Sequence, residues 1–398
     1  MSGSAFLGEL VDFYSGVGFP TEFQGIAEGE LPFAKVSDIS NALQDGERTI
    51  STASNYIDND VARRLRAKPF PKGTIVFAKI GEAIRKNRRA VSSREMLFDN
   101  NVMGIYPKAK TVDANYLIRF LDTVDFYKLA NSTTVPSLRK SVLSELRIPL
   151  PPLDEQKRIA AILDKADALR AKRRQTIALL DSLTQSIFLE MFGDLTTGTR
   201  KWPILALREI AEIGSGITKG RKLNSKEAIE VPYLAVANVQ DKALNLTTVK
   251  TIEATWSEIE RYKLEINDLL LTEGGDPDKL GRGTLWRGEL PLAIHQNHIF
   301  KVRFVSSRIE PLYANWLIGS AYGKNFFLKS AKQTTGIASI NKSQLSDFPM
   351  IVPPLALQRS FVERAETIST KMGAHLAHME SLNRAFAAIQ TLAFRGEI

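Results

Sequence analysis

The 398-residue sequence contains no cysteine. Disulfide frameworks, thiolate metal sites and cysteine nucleophiles are thereby excluded, and a cytoplasmic home is expected. No stretch approaches the ~18 consecutive apolar residues of a membrane span, so no membrane partner is expected. Met1-Ser2-Gly3-Ser4-Ala5 lacks the basic region and apolar core of a signal peptide. Histidine is scarce: four residues form two i,i+3 pairs, His295/His298 and His375/His378. Without cysteine or carboxylate partners at fitting spacing they predict packing, and no metal is expected.

Catalytic signatures are missing as well. Gly214-Ser215-Gly216-Ile217-Thr218-Lys219-Gly220 is glycine-rich but misspaced for a phosphate-binding loop. There is no GxGxxG after a strand, no Asn-Pro-Pro-Tyr or Asp-Pro-Pro-Tyr, and no Glu-x-Lys after Pro277-Asp278. The inventory points to a binding protein with no catalysis and no cofactor of its own.

What is present is a repeat. Leu7–Gly16 reads like Leu207–Gly216, and Leu31–Ile39 like Val231–Val239, both 200 positions apart. Val135–Ser141 matches Ile337–Ser343, and Pro151–Gln156 matches Pro353–Gln358, at an offset of 202. Four matches in one order predict a tandem duplication. Each copy reads as an α+β body followed by a long helix. Short β-branched runs such as Thr74–Phe77 and Lys301–Val305 lie between Gly, Pro and Asn punctuation. The expected segments are 1–150, 151–195, 205–352 and 353–398.

In the second helix Phe361, Ala365, Ile368, Met372, His375, Met379, Leu382, Phe386, Ile389 and Ala393 alternate four and three apart. That spacing predicts a coiled-coil seam. The first helix is expected to use Ile159, Ile162, Ala166 and Leu169, then Ile177, Leu180, Leu183 and Ile187, with the basic block Arg170–Arg174 interrupting the stripe. About 38 helical residues span roughly 57 Å, a length that needs a partner, and the other copy's helix is the simplest one.

Lysine and arginine outnumber acids 53 to 44, a net charge of +9 that favours a polyanionic partner. Between Arg63 and Arg94 lie eleven basic residues and one acid, Glu82. The expected DNA contacts in the first copy are Lys35, Ser37, Lys79, Arg85, Lys86, Arg88 and Arg89. In the second they are Lys219, Arg221, Lys222, Asn238, Gln240, Lys279 and Arg282. Lysine and arginine neutralise phosphates, arginine pairs with guanine, and Asn or Gln with adenine. Scaffold segments repeat while these surfaces diverge, which suits two different half-sites.

Pro151-Pro152-Leu153-Asp154-Glu155-Gln156 leading into Arg158–Asp164, the long helix ending near Phe192-Gly193, and the closing Ala393–Ile398 resemble the specificity subunits of type I restriction-modification enzymes. The resemblance implies two target-recognition domains separated by two antiparallel coiled-coil helices with pseudo-two-fold repetition. It implies a non-catalytic subunit reading a bipartite site on double-stranded DNA. Two modification subunits would carry S-adenosylmethionine and methylate adenine at N6, and restriction subunits would add ATP- and Mg-dependent cleavage. Asp154, Glu155 and Gln156 are the expected partner contacts. The second copy has Ala356-Leu357-Gln358 there, so an identical contact is not expected of it. The alternatives are a specificity subunit of a methylation complex without a restriction partner, a coiled-coil adaptor, and a tandem RNA-binding protein.

Overall fold

The computed structural model describes residues 3–44, 48–131, 135–197, 201–221, 227–276, 279–334 and 337–397. The chain divides into two compact units, Met1–Thr176 with His375–Ile398, and Ile177–Ala374. The four expected segments are therefore regrouped: each unit takes one body and a stretch of both long helices.

In the first unit Gly3–Phe6 pairs antiparallel with Arg147–Leu150, joining the start of the body to its end. Between them runs a five-stranded sheet in the order Val11–Ser15, Val102–Pro107, Ile75–Ala78, Arg89–Ser92 and Thr49–Ile50. A three-stranded sheet follows the order Asn55–Ile57, Leu31–Ala34, Leu97–Phe98. The central strand Ile75-Val76-Phe77-Ala78 is buried throughout, as its unbroken apolar run requires. Ile75 and Phe77 share one core with Tyr116, Leu117 and Leu121 of the helix Ala114–Leu121, whereas Val76 faces a second core with Phe70 and Phe98. That helix starts where the Asp113 carboxylate accepts a hydrogen bond from the Tyr116 N–H.

The second unit repeats the plan. Ile204–Ala206 pairs with Pro349–Ile351, and a four-stranded sheet runs Ala211–Ser215, Ile299–Phe304, Leu269–Thr272, Gly283–Leu285. The small sheet is Lys250–Ala254, Ile229–Leu234, Ile294–His295. Gly16 and Gly216 show how close the match is. A Cβ on either would lie 1.9 Å from a backbone oxygen, that of Asp99 or of His295, so only glycine fits. The copies differ at their margins. The first has the edge strand Thr49–Ile50; the second adds the hairpin Val239–Gln240/Ala243–Leu244.

Each body is fixed to the helix that follows it by one glutamine. Gln156 accepts from the Asp113 N–H at 2.8 Å and donates to the carbonyls of Pro151 (2.8 Å) and Thr111 (3.2 Å). Gln358 accepts from the Glu310 N–H at 2.9 Å and donates to Pro353 (2.8 Å) and Arg308 (3.0 Å). Both glutamines are essentially fully buried. Gln156 is therefore corrected from a partner contact to an internal clamp, and the repeat preserves the glutamine because the clamp needs its donor and acceptor together.

The long helices are Leu153–Phe192 and Leu355–Arg395. All ten expected seam residues of the second are buried or half-buried. The first departs from expectation. Its inward positions are Ile159, Leu163, Ala166, Arg170, Arg173, Ile177, Leu180, Thr184, Ile187 and Met191, while Leu169 and Leu183 are exposed. The alternation of four and three thus runs straight through the basic block. In the first unit Arg170 lies over the Phe386 ring, 4.3 Å from its centroid, and donates to Asn383 Oδ1 at 2.9 Å. Arg173 hydrogen-bonds His375 Nδ1. Arginine can hold a seam position because its stem packs while its planar head stacks and donates. A count of hydrophobic residues passes over such positions. In the first unit numbering falls along one helix as it rises along the other, from the Arg170–Asn383 contact to Arg173–His375, so the two segments are antiparallel there.

Candidate nucleic-acid interface

The expected DNA contacts separate into three groups once their surroundings are seen. The first group is structural. Arg89 is 5% exposed. Its guanidinium donates to the Val124 carbonyl (2.6 Å), to the Asn87 carbonyl and to Asn87 Oδ1, and it lies 4.0 Å from the Phe126 ring centroid. Burial pulls its pKa down to about 10, against the opposing field of Asp122. Asn238 is 4% exposed; its amide donates to the carbonyls of Asn245 (2.8 Å) and Thr248 (2.9 Å) and accepts from the Ala235 N–H. Arg221 grips Glu258 through two hydrogen bonds of 2.6 and 2.9 Å and donates to the Glu253 carbonyl. That pairing holds the Glu258 carboxyl down at about 2. Arg89, Asn238 and Arg221 are thus corrected from DNA contacts to struts of the fold. The sequence pattern misplaced them because a basic or amide residue is written the same way whether its partner is phosphate or backbone.

The second group is exposed or half-buried, and engaged. Arg85 Nε donates to Glu82 at 2.9 Å and its Nη2 to the Tyr127 hydroxyl at 2.6 Å. Lys279 pairs with Asp276. Lys35 donates to Gln24 Oε1 at 3.0 Å and stands over the Phe19 ring. Half-buried Arg88 donates to the Ser40 carbonyl at 3.4 Å. Such exposed contacts are weak and can be exchanged for a phosphate. Arg282 and Gln240 are brought together, Arg282 Nη1 donating to Gln240 Oε1 at 3.4 Å. Lys79 is half-buried, and burial lowers its pKa, against the pull of Asp99.

The third group, Lys86, Lys219 and Ser37, is exposed and makes no side-chain hydrogen bond or ion pair among the described residues. Asp154 is exposed, while Glu155 is half-buried and pairs with Arg158 at 2.7 Å. Lys222 lies outside the described residues.

Sequence reasoning missed an ion network in the first unit, built around one buried arginine. Arg119, 3% exposed, reaches Asp164 at 2.6 Å and Asp167 at 3.0 Å on the first long helix. Arg48 joins Asp122 at 2.8 Å, and Arg170 joins Asp167 at 3.1 Å. Burial lowers the Arg119 pKa, but its hydrogen bonds to Asp167 and Asp164 outweigh that and raise it. At Asp167 burial pushes the carboxyl up, but the hydrogen bond from Arg119 and the surrounding arginines prevail and hold it down. At the equivalent place the second unit has Trp316, packed edge-on against Phe361 and stacked on Phe188. One body is docked on its helices by charge, the other by aromatic rings.

Among the described residues no group of three His, Asp or Glu could hold a metal ion, and no helix is long and apolar enough to cross a membrane. His295 is fully buried, with Nδ1 bonded to the Ile299 carbonyl at 3.0 Å; burial lowers its pKa to about 4. His298 lies 2.5 Å from Glu273.

Two α/β bodies on paired long helices, with unpaired surface cations and no constellation for catalysis among the described residues, define a scaffold for recognition. Comparison gives that class its family. Residues 4–179 and 199–374 each match the type I restriction modification DNA specificity domain. The chain belongs to this family. It is a specificity subunit, the non-catalytic DNA-recognition component of a type I restriction-modification system. It is 24% identical to the StySPI specificity subunit of Salmonella potsdam, over 92% of this chain and 82% of that one. It is 26% identical to the EcoKI specificity subunit of Escherichia coli, over 68% of this chain and 61% of that one. Among solved structures, the S subunit from M. genitalium superposes with a TM-score of 0.56 at 16% identity, covering 98% and 96% of the two chains. A chain from a study of type I complex assembly gives 0.55 at 17% identity, covering 100% and 98%.

Proposed function

We propose that each body reads one half of a bipartite site on double-stranded DNA. In this reading two modification subunits, carrying S-adenosylmethionine, methylate adenine at N6 where the site directs them. Restriction subunits using ATP and Mg add cleavage, and the complex works in the cytoplasm. The observation that carries the reading is the contrast between repeated scaffold and unrepeated surface. The closing strand pair, the Gly16/Gly216 approach and the Gln156/Gln358 clamp recur. The paired strands put Arg88 and Arg282, and Arg85 and Lys279, at equivalent places, whereas Lys35, Ser37 and Lys86 are matched by Ala235, Ala237 and Leu280. Among the expected contacts, Lys35, Ser37, Lys79, Arg85, Lys86 and Arg88 serve the first half-site, and Lys219, Lys222, Gln240, Lys279 and Arg282 the second. Asp154 and Glu155 remain at the surface to meet a modification subunit.

Replacing residues 1–150 with those of a relative is expected to change one half of the methylated motif in cells and leave the other intact. A motif altered in both halves would refute independent reading. Charge gives a second check. Removing Lys86 and Arg88 together is expected to leave stability unchanged and to lower the salt slope of DNA binding by the assembled complex by up to about two, at roughly 0.9 for each phosphate no longer neutralised. Arg89→Ala should instead destabilise the first unit. An unchanged slope in the double variant would remove both residues from the interface.

A further inference from the structure

The second unit contains a cleft of about 360 Å³ between its body and its long-helix segments. Asn315 lines it; this residue is 3% exposed, and its amide has no hydrogen-bond partner among the described residues. Thr284, 6% exposed, also lines it with its hydroxyl unbonded among the described residues. The two cations of the cleft are already engaged. Lys242 Nζ lies 3.7 Å from Asp241 and 4.0 Å from the centroid of the Trp316 ring; Arg287 lies 3.1 Å from Glu366. Two carboxylates have no cation among the described residues: Asp181 is unpaired, and Glu289 accepts one hydrogen bond, from the Arg287 N–H. The lining thus offers spare acceptors and negative charge, which disfavours an anion and suits a cation rich in donors.

The first unit shows what such a place holds. Counting from the shared tyrosines, Tyr116 and Tyr313, Asn315 corresponds to Ile118 and Trp316 to Arg119. Counting from the shared glutamines, Glu366 and Ser369 correspond to Asp164 and Asp167. There the first unit seats a guanidinium of its own: Arg48 reaches Asp122 at 2.8 Å and Asp167 at 3.6 Å. The second unit has Gly319 and Ser369 at those two positions and draws its carboxylates from elsewhere, Asp181 and Glu289. We propose that the second-unit cleft, lined by Asp181, Glu289, Asn315 and Thr284, is a receptor site for a guanidinium group supplied from outside this chain. Guanidinium carries five N–H donors and no acceptor, which matches two carboxylates without a cation, an amide oxygen and a hydroxyl. The volume is at the low end for a ligand site and ample for an arginine side chain or a small guanidine.

The probe is agmatine, titrated into the full-length chain and followed by tryptophan fluorescence. A saturable change is expected that disappears in Trp316→Phe, which keeps the other three tryptophans. Asp181→Asn, and Asn315→Ile, which copies the first unit, should each weaken binding at least about tenfold, the equivalent of one charge-assisted hydrogen bond. Butylamine, with a single ammonium, should bind more weakly. A response that does not saturate, or that is equal in wild type and both variants, overturns the proposal. A second arm, which rests on the proposed function, titrates modification subunits onto the same variants. Assembly weakened in parallel and inhibited by agmatine identifies an arginine of the partner. Assembly unchanged while agmatine binding is lost identifies a free guanidine. Because the first arm needs no partner, failure of assembly as a whole would count against the proposed function and not against the site.

Discussion

Arg119→Ala is expected to cost the first unit about 3 kcal/mol, the low end of the range for breaking a buried ion pair, because Asp164 is open to solvent while the arginine is not. The arginine is almost fully enclosed, and its deletion leaves Asp164 and Asp167 facing each other across the place it filled, with Arg48 and Arg170 still paired to Asp167 among the described residues. The loss should appear as faster hydrogen exchange in the helix Ala114–Leu121 and in the facing part of the first long helix. The second unit, which docks through Trp316, should exchange as before. A loss below about 1 kcal/mol, the range of surface pairs, would show that the network is screened by solvent and that packing alone holds the body to its helices.

The second large effect is expected from exchanging two equivalent residues. Asp38 and Asn238 both accept a backbone N–H three residues back, from Lys35 and Ala235. They differ in what they face on the other side. The second Asp38 oxygen accepts from the Ser54 N–H and hydroxyl, whereas the Asn238 amide donates to two carbonyls. N238D would therefore aim a buried carboxylate at two carbonyl oxygens, and a loss of about 3 kcal/mol or more is expected at pH 7. The introduced carboxyl would have a raised folded-state pKa. Its penalty should be smallest below the unfolded value and grow as pH rises through the folded one. D38N should lose less, because an amide oxygen can still accept one of the Ser54 hydrogens. Urea titrations at pH 4.5 and 7 read both, and equal losses at the two pH values in N238D would rule out the electrostatic account.

Much of the architecture was legible because duplication and periodicity are properties of order along the chain. The repeat, the two mixed bodies and the strict seam from Phe361 to Ala393 need only the sequence, since apolar spacing of four and three has few other solutions. The same order identifies the family through the residues around Pro151–Gln156. What lay beyond it is polar. Whether an arginine meets phosphate, carboxylate or an aromatic ring depends on residues far away in sequence. Arg89 was set by Val124 and Phe126, Arg119 by Asp164, Arg170 by Phe386 and Asn238 by Thr248. Burial of a side chain follows from the summed packing of its neighbours, and a polar side chain goes inside wherever that packing supplies partners, so only the tertiary structure could separate the struts from the free cations.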